Sequence, residues 1–135
     1  MSRLLLDTSF LIDTERSGDD LEEAIDDNDD VAIAAVTIAE LRVGAMLASG
    51  RRRETRLAYV TDVIETIPVV VYDLDVAEAY AQLLVTVRSQ GRPRGAHDLI
   101  IAASALATER LVVTADGRAF ADLPGVAAQL HQRSS

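Results

Sequence analysis

Cysteine is absent from the 135 residues, as are lysine and tryptophan, and there are only two histidines, His97 and His131. Without cysteine the chain can form neither a disulfide nor a thiolate zinc centre, and two distant imidazoles argue against a histidine metal site. Any bound metal must therefore be held by carboxylates, and oxygen-only ligation suits magnesium or manganese better than zinc or copper. No apolar run approaches the roughly 18 to 20 residues of a membrane span, and no basic segment leads into a long apolar stretch with a small-residue cleavage site. The expectation is a cytoplasmic chain with no membrane association. With two Phe and three Tyr, no obvious aromatic platform is available for stacking bases.

What is present is enough for one domain, expected to span residues 1–135, with 49% hydrophobic residues to build a core. The net charge of −9 argues at first against an anionic partner. Its distribution weakens that argument. Eight of the twelve residues in DDLEEAIDDNDD, 19 to 30, are acidic, and the rest of the chain carries 14 acidic against 13 basic residues, all arginine. The acidic run reads as a solvated helix with an acidic end.

Short β-branched or leucine runs (Leu4 to Leu6, Val31 to Ala34, Pro68 to Tyr72, Leu111 to Thr114) alternate with longer stretches of helical period. That alternation predicts βα units on a parallel sheet. Thr37-Ile38-Ala39-Glu40 fits a capping box, Arg53 to Ile64 carries an apolar stripe, and another stripe from Asp75 ends at Gly91 and Pro93. Asp98 opens DLIIAASALA, apolar nearly all round and so expected to be a central, buried helix. HQRSS forms a short polar end.

Ligands of open α/β sheets collect at the carboxyl ends of the strands. Asp7 follows the first strand, Glu40 lies in the helix after the second, Asp116 follows LVVT, and Asp98 starts the most buried helix. Each has an ordinary local role: Asp7 and Asp98 as helix caps, Glu40 as the third residue of a capping box, Asp116 as an Asx-turn residue in ADG. Together they would repel one another and raise the pKa of at least one member unless cations intervene. A pair of divalent ions balances four carboxylates and suits hydrolysis of a phosphodiester. Other chemistries fit less well. Ser9 stands where a haloacid-dehalogenase-type phosphatase needs a second aspartate, a response-regulator receiver needs a lysine, and neither a GxxxxGK[ST] loop, a GxGxxG turn nor a nucleophile elbow occurs.

Four segments, LLLDTSFLID, AAVTIAELRVGA, GAHDLIIAASALA and LVVTADGRAFADLPGV, resemble in order and spacing the signature segments of the PIN domain, and most closely those of VapC toxins of VapBC toxin–antitoxin modules. The resemblance spans nearly the whole chain. It implies a PIN-like three-layer α/β/α fold with a central, mainly parallel sheet and a Mg2+-dependent endoribonuclease, with Mn2+ as a possible substitute, that hydrolyses RNA with a metal-activated water. The family's four acidic positions fall on Asp7, Glu40, Asp98 and Asp116, the last being the least secure as a direct ligand. Ser9 and Thr114 match hydroxyl positions where support of the carboxylates or phosphate contact is expected, and Phe120 with the LPG turn at 123 to 125 matches a packing element. The implied partners are an RNA substrate, a VapB-type antitoxin whose C-terminal segment covers the active-site groove, and a second copy in a homodimer. The alternative is a PIN-like RNA- or protein-binding module that does not cleave.

Carboxylates do not attract RNA, so phosphate-binding groups must lie near them. Arg51, Arg52, Arg53 and Arg56 form the densest basic cluster, but Arg92 and Arg94, just before Asp98, are closer in sequence and are the favoured phosphate contacts. His97 is read as a structural neighbour of the site, not a general base.

Overall fold

A computed structural model describes residues 2–18 and 21–131. Asp19 and Asp20 of the acidic run, and residues 132–135 of the polar end, lie outside the described residues.

The elements follow one another as β1 (Arg3–Leu6), α1 (Thr8–Ser17), α2 (Leu21–Ala24), β2 (Asp30–Ala34), α3 (Ala35–Leu47), α4 (Gly50–Thr66), β3 (Val69–Val70), α5 (Leu74–Gln90), α6 (Ala96–Thr108), β4 (Leu111–Thr114) and β5 (Ala128–Leu130). The five strands are parallel in the order β3-β2-β1-β4-β5. Successive strand residues point to opposite faces, and here both faces are covered. Leu5, Ala32, Ala34 and Val112 join the core built with α5 and α6, whereas Leu6, Ile33 and Val113 join the one built with α1, α3 and α4. That is why the strands read as unbroken apolar runs and not as alternating ones. The three-layer α/β/α arrangement is the expected one.

Helix α6 is central, as its composition requires: Leu99, Ile101, Ala102, Ala103 and Ala105 are all buried. Phe120 and Leu123 pack into the same cluster, which accounts for the packing role of the segment after β4.

Several local expectations are corrected. Helix α3 begins at Ala35 with Ala34 as its N-cap and no side-chain cap, so Thr37 and Glu40 form no capping box. Thr37 lies inside the helix, fully buried, with its hydroxyl against that of Thr8. Helix α6 starts two residues before Asp98, with Gly95 as N-cap. Asp98 is therefore a first-turn residue and not a cap. Among the described residues of the acidic run only Leu21–Ala24 is helical, and the run's last residue, Asp30, pairs with Arg3 as the first residue of β2. Strand β5, three exposed residues paired with β4, was not expected at all.

Candidate active site

The strand order places the topological switch between β1 and β4, the position where open parallel sheets form a crevice at their carboxyl ends. Asp7 leaves β1 there and Asp116 leaves β4. From α3 comes Glu40, from α6 comes Asp98, and all four line a single cavity of about 210 Å³ together with Thr8, Ser9, Ile12 and Ala119.

Asp7 is almost fully buried and held at both oxygens. Oδ1 accepts from the Thr8 backbone N–H at 2.7 Å, and Oδ2 accepts from the Ser9 hydroxyl at 2.6 Å and the Thr114 hydroxyl at 2.7 Å. It caps α1 and faces the cavity; the two roles coexist. The buried Thr114 hydroxyl also accepts the Asp116 backbone N–H at 2.9 Å, tying the first carboxylate to the turn that carries the fourth. In that turn Asp116 Oδ1 accepts the Arg118 N–H at 3.1 Å, the Asx-turn bond expected of ADG. Glu40 Oε1 accepts from the Thr8 hydroxyl at 2.7 Å, while Oε2 lies 3.5 Å from Nδ1 of the exposed His97. His97 thus touches a cavity residue from outside.

Asp98 differs from the others in having no hydrogen-bond donor among the described residues. Burial, followed by the charges of Asp7, Glu40 and Asp116, pushes its pKa up, with His97 opposing. This is the repulsion that four gathered carboxylates should produce. Among the described residues no three acidic or imidazole side chains converge tightly enough to cage an ion as they stand. The donor set nevertheless fits magnesium, which keeps several waters and takes one or two carboxylates, and Asp98 offers an oxygen pair that no donor among the described residues occupies.

Arg92 and Arg94 are placed elsewhere. Arg92 lies 3.5 Å from Asp122, and Arg94 donates to the Ala121 carbonyl at 2.7 Å; neither lines the carboxylate cavity. They bind the loop before α6 to the segment after β4. Thr8, which sequence reasoning passed over, holds Glu40; its only sequence signal was a second hydroxyl beside Asp7.

A parallel sheet with a carboxylate cavity at its switch point is consistent with several α/β hydrolytic classes, and the family match selects one: the chain belongs to the PIN domain family, which it matches over residues 4–126. Within it the similarity is to VapC proteins. The chain is 43% identical over 126 residues to "Ribonuclease VapC5" of Mycobacterium tuberculosis, covering 91% of this chain and 89% of that one. Among solved structures it resembles the VapBC-5 member of the VapBC toxin–antitoxin family from Mycobacterium tuberculosis (TM-score 0.76, 34% identity, 96% of this chain and 98% of that one). It also resembles the DNA-bound VapBC of Salmonella typhimurium (TM-score 0.85, 29% identity, 96% and 98%).

Proposed function

We propose that this chain is a VapC-type toxin, a Mg2+-dependent endoribonuclease hydrolysing RNA phosphodiester bonds, with Mn2+ as a substitute. The observation that carries the reading is the convergence of Asp7, Glu40, Asp98 and Asp116 on one cavity at the sheet's switch point, in a chain of this family. Named relatives support the coarser class, ribonuclease and toxin–antitoxin protein.

In this reading Asp98 and Asp7 are the principal cation ligands, and Glu40 and Asp116 complete the anionic wall. A bound divalent ion would offset part of the cluster's charge, a pair would balance it, and either would supply Lewis-acid polarisation of water and phosphate. The protein's own part is orientation. Ser9 and Thr114 fix Asp7, Thr8 fixes Glu40, the Thr114 bond to Asp7 holds the two strand ends together, and the Asp116 backbone N–H bond to Thr114 ties the following turn to them. The partners follow from the same reading: an RNA substrate, a VapB-type antitoxin and a second copy of the chain in the cytoplasm.

The test is incubation of the purified chain with structured RNAs in magnesium or manganese, and then in EDTA. Cleavage that needs metal and disappears in Asp7→Asn and Asp98→Asn is the expected result. RNA binding with no cleavage in any metal would overturn it in favour of a binding module. Sequencing RNA ends in cells that make the chain without an antitoxin then identifies the target.

A further inference from the structure

The carboxylate cavity does not end at its own walls. Ile12 and Glu40 are shared with a second trough, completed by Glu15 and Arg16 of α1, Leu41 and Gly44 of α3, and Arg56, Tyr59 and Val60 of α4. Glu15 and Arg56 are shared in turn with a shallower depression bounded by Arg51, Arg52 and Thr55. The three hollows therefore adjoin one another, from the carboxylates past the apolar side chains of Ile12, Leu41 and Val60 to four guanidinium groups, with Glu40 at the cavity end and Glu15 farther along as the acids among the walls.

Those cations are not consumed by the fold. Among the described residues Arg16, Arg51 and Arg52 enter no ion pair, and Arg56 spends one N–H on the Gly44 carbonyl at 3.1 Å. Tyr59 adds no opposing charge, because burial and the nearby Glu15 and Asp62 push its phenol pKa well above the ordinary value. Arg92 and Arg94, by contrast, are engaged with the segment around residue 121.

We infer that the trough from Ile12 and Glu40 to Arg51 and Arg52 carries the sugar–phosphate backbone of the substrate RNA on one side of the scissile bond. The inference rests on the ribonuclease reading and adds the path of the strand to it. A phosphodiester held among four carboxylates is repelled by its surroundings, so the flanking phosphates must supply the attraction, and counterion release by arginine does so without reading sequence. The trough is the cationic surface that shares walls with the cavity. Gly44 keeps it open: a Cβ there would meet no atom within 4 Å.

Two variants test this from different directions. Binding of a labelled, mixed-sequence single-stranded RNA is measured in EDTA across a salt series for wild type, Arg51→Gln/Arg52→Gln, and Arg88→Gln, an exposed arginine on α5, as control. Each lost phosphate contact on a single strand should reduce the slope of log K against log salt by about 0.7, so the double variant should lose about 1.4 and the control nothing. Gly44→Leu fills the trough while leaving every charge in place. Leucine favours a helix over glycine, so its melting temperature should rise while KM for RNA rises about tenfold and kcat is held. An unchanged salt slope in the double variant, or an unchanged KM in Gly44→Leu, overturns the proposal and leaves the trough to a protein partner. If wild type cleaves normally and the variants match it, the path alone is wrong. If wild type cleaves nothing, the ribonuclease reading fails, and the salt slopes still report on the trough.

Discussion

The Thr8 hydroxyl lies 2.7 Å from Glu40 Oε1, so the first residue of α1 grips a carboxylate in the second turn of α3. Thr8 is itself buried, beside the fully buried Thr37, and has little freedom to release it. Thr8→Val keeps the shape and deletes the hydroxyl. Groups that orient ligands typically cost 10- to 100-fold in metal affinity or activity when removed, so RNA cleavage should fall about tenfold and need more magnesium. A metal titration of cleavage measures this, and an unaltered titration curve would show that Glu40 needs no such hold.

Asp98 ties stability to pH. Its folded pKa lies above the ordinary value of 3.8, so the stability it contributes is full below the unfolded pKa and is lost as pH rises through the folded one. In EDTA, wild type should lose stability relative to Asp98→Asn as pH is raised from 3.8, and the two curves should run parallel at lower pH. Denaturant midpoints across pH check the sign.

Magnesium should reverse that trend. Binding requires ionised carboxylates, so stabilisation by the ion grows with pH where the apo protein weakens. At a hundredfold excess over Kd the gain is about 2.7 kcal/mol. Thermal melts in magnesium and in EDTA measure it; Asp98→Asn should show little of the gain.

Arg110 lies at the other end of the sheet. Its Nη1 bonds the Leu4 and Asp30 carbonyls and Asp30 Oδ1 at 2.9 to 3.3 Å, and Arg3 meets the other Asp30 oxygen at 2.8 Å. With the Arg110 side chain 10% and Asp30 35% exposed, Arg110→Ala should cost about 2 kcal/mol, less than the roughly 3–5 kcal/mol of a fully buried pair. kcat should not change, since this cluster stands at the strand starts and the carboxylates at the strand ends. Chemical denaturation alongside a cleavage assay separates the two effects.

The strands that form the middle of the sheet were legible because burial on both faces leaves a continuous apolar run in the sequence. β5 was not: Ala128–Leu130 is short and exposed, and only its pairing with β4 makes it a strand. The strand at 68–72 shrank to Val69–Val70 for a related reason, as Val71 and Tyr72 are exposed. The carboxylates could be gathered from sequence because strand ends and helix starts of a parallel sheet share one edge. The capping box failed because Thr37 suits either a cap or a buried hydroxyl contact, and the pattern TIAE does not distinguish them. The arginine trough was out of reach, since it needs α1, α3 and α4 packed together before Arg16 and Arg56 become neighbours. Proximity in sequence to Asp98 favoured Arg92 and Arg94 instead, whose partners at 121 and 122 only the folded chain reveals.

The Thr114 to Asp7 bond spans 107 positions. At a synthesis rate of roughly 5 to 20 residues per second, a ribosome making this chain needs roughly 5 to 20 s between the two ends of that bond. Until β4 emerges, the central strand has one bare edge and the cavity lacks its fourth wall. The cavity therefore comes together only once β4 has been made, and a product interrupted before it carries Asp7, Glu40 and Asp98 but neither Thr114 to hold Asp7 nor Asp116 to close the wall.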